Sequence, residues 1–270
     1  MPTNRHTFLS IQSIPVRQLV IFAMLLLYTC SYADDSLQVK ITEIERPVVN
    51  NAFKVGEKLV FSVEFGAVVA GTATLEVLSV VPVEGRNAYL LRAEAKSSKG
   101  FDIIYRVRDR MESYVDTAWF RTLKFVKKLR EGNYKDEKVV EYNHKTRKAT
   151  TFSWGKDVQE TDFDSLTVDV LSSLYLVRLM PLAVGEPVFF PVHDITKRYP
   201  LMVEVQKKER ITVPAGSFDC LVVEPKLQSE GIFKRKGRIW VWLTNDERRM
   251  PVKMTSELPF GSIVCNLMSY

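Results

Sequence analysis

The sequence predicts a mainly β protein: a curved antiparallel sheet, open barrel or β-clam that holds one buried apolar helix at about residues 164–181. Three observations predict it. Apolar and polar residues alternate over most of the chain after residue 53, and short polar or glycine-containing links separate the alternating runs. One segment alone repeats its apolar residues at steps of three and four.

The first strands follow directly from this alternation. In "KLVFSVEF" four apolar side chains share one face, namely Leu59, Phe61, Val63 and Phe65. "GTATLEVLSV" and "AYLLRAEAK" repeat the pattern, and the link "GAVVAG" has glycine at both ends, which indicates a turn or bulge. Further strands are predicted at residues 103–113, 123–130, 138–142 and 149–154.

The helix is predicted from the segment "DSLTVDVLSSLYLVRLMP". Asp164 and Ser165 are good N-cap residues, and Pro181 ends the segment. The only charged residues between them are Asp169 and Arg178. A helix that is apolar nearly all round must be covered on several sides. We therefore expect this helix to lie against, or inside the curve of, a bent sheet.

Strands resume in the carboxy-terminal half. "VPAGSF" predicts a tight hairpin in which Gly216 takes positive φ. In "RIWVWLT" both faces are apolar, with Trp240 and Trp242 on one of them, so we expect both faces to be covered. "TNDERRM" predicts a hairpin tip built on Asn245 and Asp246, whose charges offset one another in water.

The amino terminus has the features of a secretory signal peptide. The uncharged run "LVIFAMLLLY" is too short to span a bilayer, and "SYA" places small residues before a cleavage site at Ala33. We predict a signal peptide at 1–33, an N-terminal segment at 34–52 and a single β-rich domain at 53–270, located in the periplasm, with no stable transmembrane segment after processing. An alternative is a lipid anchor at Cys30.

Composition excludes several classes of function. Removing residues 1–33 lowers the net charge from +6 to about +4, which is too little for a nucleic-acid binder. Cys220 and Cys265 are expected to be buried apolar side chains, although they could pair in an oxidising compartment. His144 and His193 are isolated, so no metal site is predicted. No nucleophile elbow or phosphate loop is present, and no cofactor or catalytic residue is predicted.

A cationic strand face is the most unusual feature. "YRVRDRM" and the strand at 123–130 place basic side chains on one face each, and together they give six candidate ligand-binding residues: Arg106, Arg108, Arg110, Lys124, Lys128 and Arg130. They either face water, with Glu94 and Glu112 as partners, or line a groove for an anionic ligand such as a lipid head group or acidic glycan. Arginine suits such groups because its planar fork donates two parallel hydrogen bonds.

Several blocks of the sequence resemble one bacterial secreted family. They are "FKVGEKLVFSVEFGAVVAGTATLEV", "LYLVRLMPLAVGEPVFFPV", "VPAGSFDCLVVEP", "IWVWLTNDERRMPVKM" and "PFGSIVCNLMSY". In this order they are similar to domain of unknown function 3108, over about residues 53–270. The resemblance implies an envelope protein of β-rich fold. It implies no reaction and no catalytic residues.

These observations favour a non-enzymatic, periplasmic binding protein for a hydrophobic or amphipathic envelope molecule, such as a lipid or glycolipid. Two alternatives stay open. The protein is a scaffold that docks another envelope protein, or a hydrolase whose site the sequence does not reveal. A cavity lined by apolar side chains would favour binding, an exposed apolar patch would favour docking, and converging carboxylates in a cleft would favour hydrolysis.

Overall fold

The computed structural model describes residues 41–42, 47–227, 238–258 and 261–270. The first eight strands are β1 Lys58–Phe65, β2 Val68–Val83, β3 Arg86–Ser97, β4 Arg108–Asp116, β5 Thr122–Glu131, β6 Tyr134–Asn143, β7 Lys148–Ser153 and β8 Gln159–Asp162. One helix follows, α1 Val170–Leu179. The remaining strands are β9 Val188–Asp194, β10 Lys197–Val213, β11 Gly216–Leu227, β12 Ile239–Thr244, β13 Pro251–Leu258 and β14 Gly261–Ser269.

Within the described residues, fourteen strands form one antiparallel sheet in the order β8-β7-β6-β5-β4-β3-β2-β1-β14-β13-β12-β11-β10-β9. Strand β1 lies near the middle of the sheet, and β2 to β8 follow in order to one edge. Strand β9 forms the other edge, and β10 to β14 follow in order back to β1, with which β14 pairs. Because consecutive strands pair, their connections alternate between two ends of the sheet. We call the end with the connections 66–67, 98–107, 132–133 and 154–158 the distal end, and the end with 84–85, 117–121 and 245–250 the groove end.

Helix α1 shows that the sheet is curved. It packs on β3, β4 and β9, which lie far apart in the strand order. The two edges also approach each other, since His193 on β9 hydrogen-bonds to Tyr142 on β6 at 3.0 Å and to Thr161 on β8 at 2.9 Å. No ladder joins β8 to β9. The predicted fold class, a curved antiparallel sheet around one buried apolar helix, is confirmed.

The helix begins later than the sequence predicts. Its N-cap is Asp169, whose side chain accepts hydrogen bonds from the backbone N–H groups of Leu171 and Ser172. The residues before it form an extended segment, in which Val168 makes a parallel bridge to Val192 of β9. Asp164 and Ser165 are therefore not the cap. This segment fills the gap between β5 and β9, and that tertiary pairing prevails over its helical spacing.

Most predicted strands are present, with one shifted boundary. The strand predicted at 103–113 begins only at Arg108, because Phe101–Ile103 forms a turn of 3-10 helix. "GAVVAG" contains the predicted turn, but β2 already starts at Val68. Gly216 has φ of +135° in the β10–β11 hairpin, as predicted.

The β12–β13 tip has more contacts than a solvated turn. Asp246 accepts hydrogen bonds from the backbone N–H groups of Arg248 and Arg249, which is the predicted turn chemistry. Arg249, however, reaches back and donates to the carbonyl oxygens of Arg178 and Met180 at the end of α1. The tip therefore caps the helix, and its charges are only partly solvated.

The signal peptide at 1–33, the cleavage site at Ala33 and the alternative anchor at Cys30 lie outside the described residues. Within the described ranges, no helix has both the length and the apolar character needed to cross a membrane. Cys220 and Cys265 are both free and buried, and burial raises the pKa of each thiol to about 12.

Candidate functional site

Five of the six predicted cationic residues lie on the convex face of the sheet. On β4 the side chains of Met111 and Val115 enter the core, so Arg108 and Arg110 point away from it. The same alternation on β5 turns three further cations outward, Lys124, Lys128 and Arg130. The sixth, Arg106, is exposed in the loop before β4, where its carbonyl accepts a hydrogen bond from Gly132 at 2.7 Å.

The strand register sets these cations opposite one another. Arg110 pairs with Lys128 across β4 and β5, and Arg130 pairs with Lys135 across β5 and β6. The same register aligns Arg108 with Arg130, because the bridge between Val107 and Glu131 continues it. Like charges that face each other directly across a sheet are destabilising. This part of the convex face therefore concentrates positive charge at a cost to stability.

Carboxylates compensate four of the six cations. Arg108 donates to Asp102 at 2.6 Å, and this contact lowers the pKa of the Asp102 carboxyl. The other three salt bridges join Arg110 to Glu112 at 3.6 Å, Lys124 to Glu141 at 3.0 Å and Lys128 to Glu137 at 2.5 Å. Glu112 also forms a salt bridge with Arg92, at 2.7 Å. Exposed pairs of this kind contribute little stability.

Three neighbouring cations have no such partner. Among the described residues, no salt bridge reaches Arg106, Arg130 or Lys135, and all three side chains are exposed. They lie at the distal end of β4, β5 and β6, next to Arg108. We call Arg106, Arg108, Arg130 and Lys135 the cation cluster. Lys135 was missed by sequence reasoning, because only the β5–β6 register brings it beside Arg130.

A second group of charges lies on the concave side and was also missed. Asp109 and Lys127 are almost fully buried, and so is Glu131. The Asp109 carboxyl accepts a hydrogen bond from the backbone N–H of Arg130 at 2.7 Å, and burial raises the pKa of this carboxyl. Converging carboxylates of this kind are a feature of hydrolases, but these are enclosed in the sheet rather than set in a cleft. Their positions do follow from the period of two along β4 and β5.

Polar groups at the start of α1 are buried and satisfied. Asp169 accepts hydrogen bonds from the hydroxyls of Ser113, Thr122 and Ser172, and burial raises its pKa. Burial lowers the pKa of both His144 and His193 to about 4. In the described part of the chain, no three His, Cys, Asp or Glu side chains are grouped as metal ligands would be.

A groove of about 660 Å³ opens at the groove end. The segment 50–58 forms most of its wall, together with Arg248 and Tyr270. Beneath it, the buried Arg178 donates two hydrogen bonds to Glu57, at 2.7 and 2.9 Å. This groove lies at the opposite end of the sheet from the cation cluster, so it is a separate feature. The concave side itself is occupied by α1 and the core.

Comparison with known families agrees with this architecture. The profile of the family described as "Protein of unknown function (DUF3108)" matches residues 60–268. The chain belongs to this family. The match confirms the resemblance found in the sequence blocks, and it extends from β1 to β14. Among curated proteins, none matches the DUF3108 chain.

One solved structure extends the likeness to the fold, and two others match more weakly. A β-barrel-like protein of domain of unknown function 1849 from Brucella abortus has a TM-score of 0.53 at 10% identity, covering 78% of this chain and 95% of its own. A protein from Bacteroides fragilis described as exported, with a YmcC-like fold, has a TM-score of 0.37 at 9% identity, covering 83% and 98%. A protein from Parabacteroides distasonis described as a lipoprotein has a TM-score of 0.36 at 12% identity, covering 84% and 99%.

Proposed function

We propose that this DUF3108 protein is a non-enzymatic binding protein of the cell envelope, and that its cation cluster recognises the anionic head group of an amphipathic envelope molecule. One observation carries the proposal. The register places Arg108, Arg130 and Lys135 side by side on three neighbouring strands, and among the residues that the structure describes only Arg108 of the three has a carboxylate partner. An anionic ligand would relieve this repulsion, because phosphate and carboxylate groups accept the paired N–H groups of arginine.

The location of the cluster supports a binding role over catalysis. The cluster lies on an open convex surface, where water is not excluded, and the carboxylate beside it, Asp102, is held in a salt bridge with Arg108. The buried carboxyls of Asp109 and Glu131 lie on the other face of the same strands. The names of two structural neighbours, an exported protein and a lipoprotein, are consistent with a place in the envelope.

Calorimetric titration with short-chain lipids that stay monomeric tests the proposal. We expect the wild type to bind dihexanoyl phosphatidylglycerol and not dihexanoyl phosphatidylcholine. Replacing Arg106, Arg130 and Lys135 together by Gln should weaken the anionic binding by about a thousandfold or more, since each charge-assisted hydrogen bond that is lost costs about 1.5–3 kcal/mol.

A matched variant controls for net charge. It carries the substitutions Lys145→Gln, Arg147→Gln and Lys208→Gln, which remove three exposed cations that lie away from the cluster. It should bind as the wild type does. Equal affinity of the wild type and the cluster variant for phosphatidylglycerol would contradict the proposal, and so would equal affinity of the wild type for both lipids.

A further inference from the structure

The distal end carries large apolar side chains at its outermost positions. Ile103 is 89% exposed and Trp154 is 92% exposed, and Ile104, Val68 and Val69 are each more than half exposed. All five lie in or beside the connections β1–β2, β3–β4 and β7–β8. We call them the apolar tips. Connections of this kind are usually polar, and an exposed apolar patch on one end of a protein indicates an interaction site.

Four of the apolar tips share a common base. Phe65 and Phe101, from the β1–β2 and β3–β4 connections, both pack against the buried Val107. The backbone of Ser98 also donates to Ala70 at 2.8 Å, which joins the second connection to β2. Val68, Val69, Ile103 and Ile104 therefore project from one joint platform. Trp154 stands further round the same end of the sheet.

The platform is held in place before any partner binds. Asp102 lies between Phe101 and Ile103, and its carboxylate accepts two hydrogen bonds from Arg108, at 2.6 and 3.0 Å. The hydroxyl of Ser98 accepts from the backbone N–H of Phe101 at 3.2 Å. The exposure of Ile103 and Ile104 is thus imposed by a bonded turn, which lowers the entropy lost on binding.

Positive charge surrounds the apolar tips. Lys99 is exposed within the β3–β4 connection, and Lys156 follows Trp154 in the β7–β8 turn. Arg106, Arg130 and Lys135 of the cation cluster lie at the same end. The acids beside these connections include Asp102, which Arg108 neutralises, and the exposed Asp157 and Glu160. The balance is cationic, so the complementary surface is both apolar and anionic.

We propose that the distal end docks on the surface of an anionic lipid bilayer, with the apolar tips in the head-group layer and the cations against lipid phosphates. Aliphatic side chains and tryptophan at the interface, together with basic residues, are the combination that anchors proteins peripherally to anionic membranes. This inference rests on the proposed function for the anionic head groups, and it adds the bilayer as the partner.

Cosedimentation with vesicles of equal parts phosphatidylglycerol and phosphatidylcholine tests the docking. In one variant Ile103, Ile104 and Trp154 are all replaced by Ser, and its partition coefficient should fall roughly a hundredfold because the buried apolar area is lost. Its affinity for monomeric dihexanoyl phosphatidylglycerol should stay that of the wild type. The cation-cluster variant should lose both activities.

The groove end offers a matched control. Replacing Val49, Val80 and Val184 by Ser removes three exposed apolar side chains away from the distal end, and vesicle binding should be unchanged. Equal vesicle binding by the apolar-tip variant and the wild type would overturn the docking and leave the proposed function standing. If the wild type did not bind monomeric dihexanoyl phosphatidylglycerol, the proposed function would be overturned. Vesicle binding by the apolar-tip and control variants would still decide the docking.

Depth is tested by fluorescence. Brominated phosphatidylcholine in the same vesicles should quench the wild-type tryptophan emission. Trp154→Phe should keep the vesicle binding and lose most of this quenching, since Trp119 lies at the groove end and Trp240 and Trp242 lie within β12, outside the three connections that carry the apolar tips. Quenching that persists in Trp154→Phe would mean that another part of the protein meets the bilayer.

Discussion

The guanidinium of Arg178 donates to both carboxylate oxygens of Glu57, from Nη1 at 2.7 Å and from Nη2 at 2.9 Å. Arg178 also donates to the carbonyl oxygens of Ala52 and Arg248, and its side chain is 1% exposed. One residue of α1 thereby joins the segment before β1 to the β12–β13 tip. The pair holds together three parts of the chain that are remote in sequence.

Breaking this pair should be strongly destabilising. Glu57→Ala leaves a buried, uncompensated cation, and we expect the free energy of unfolding in urea to fall by about 3–5 kcal/mol. The double variant Glu57→Leu with Arg178→Met removes both charges, so it should lose less than the single variant. A loss below about 1 kcal/mol for Glu57→Ala would show that water reaches the guanidinium.

His193 should make stability fall in mild acid. Burial lowers its pKa from 6.5 to about 4, so the unfolded chain binds the proton more readily than the folded one. The stability associated with neutral His193 is fully present above pH 6.5 and is lost as the pH falls towards 4. The free energy of unfolding should decrease by roughly 3 kcal/mol in all. His193→Gln keeps a polar side chain as partner for the hydroxyls of Tyr142 and Thr161 and removes the titrating imidazole. The difference in urea midpoint between the two proteins should therefore shrink or reverse on acidification, and a constant difference would argue against the shift.

Gly71 should not tolerate a side chain. It pairs with Ser97 across β2 and β3, and an added Cβ would lie 2.9 Å from the Ser97 Cα. We expect Gly71→Ala to cost about 1–3 kcal/mol, because backbone atoms must move. Gly100 is the control, since nothing lies within 4 Å of its added Cβ. Gly100→Ala should change the free energy of unfolding by less than about 0.5 kcal/mol.

Cys220 and Cys265 should stay reduced in the folded protein. β11 and β14 are separated by two strands, so three strand spacings, about 14 Å, lie between the two residues across the sheet. The register also aligns Cys265 with Val223 and not with Cys220. A disulfide needs less than about 7 Å. Their raised pKa values also keep both thiols protonated and slow to react. Alkylation followed by peptide mass spectrometry should modify them only after unfolding, and a linked peptide pair would contradict the register.

Alternation along single strands predicted much of the candidate site. It predicted that Arg108 and Arg110 share one face of their strand, and that Lys128 and Arg130 share one face of theirs. It could not say which strand lies beside which, or in what register. The side-by-side placement of Arg130 and Lys135, on which the proposed function rests, is a property of the β5–β6 pairing.

The sequence by itself determined the fold class, the family, the hairpin at Gly216 and the presence of one buried helix, because periodicity and turn chemistry are local properties. Only the tertiary structure decided where α1 begins, since the residues before Asp169 pair with β9 instead of entering the helix. Only it placed Arg178 opposite Glu57 and gathered the apolar tips at one end. Those relationships depend on how far the sheet curves and which strands meet, and a period of two carries no information about either.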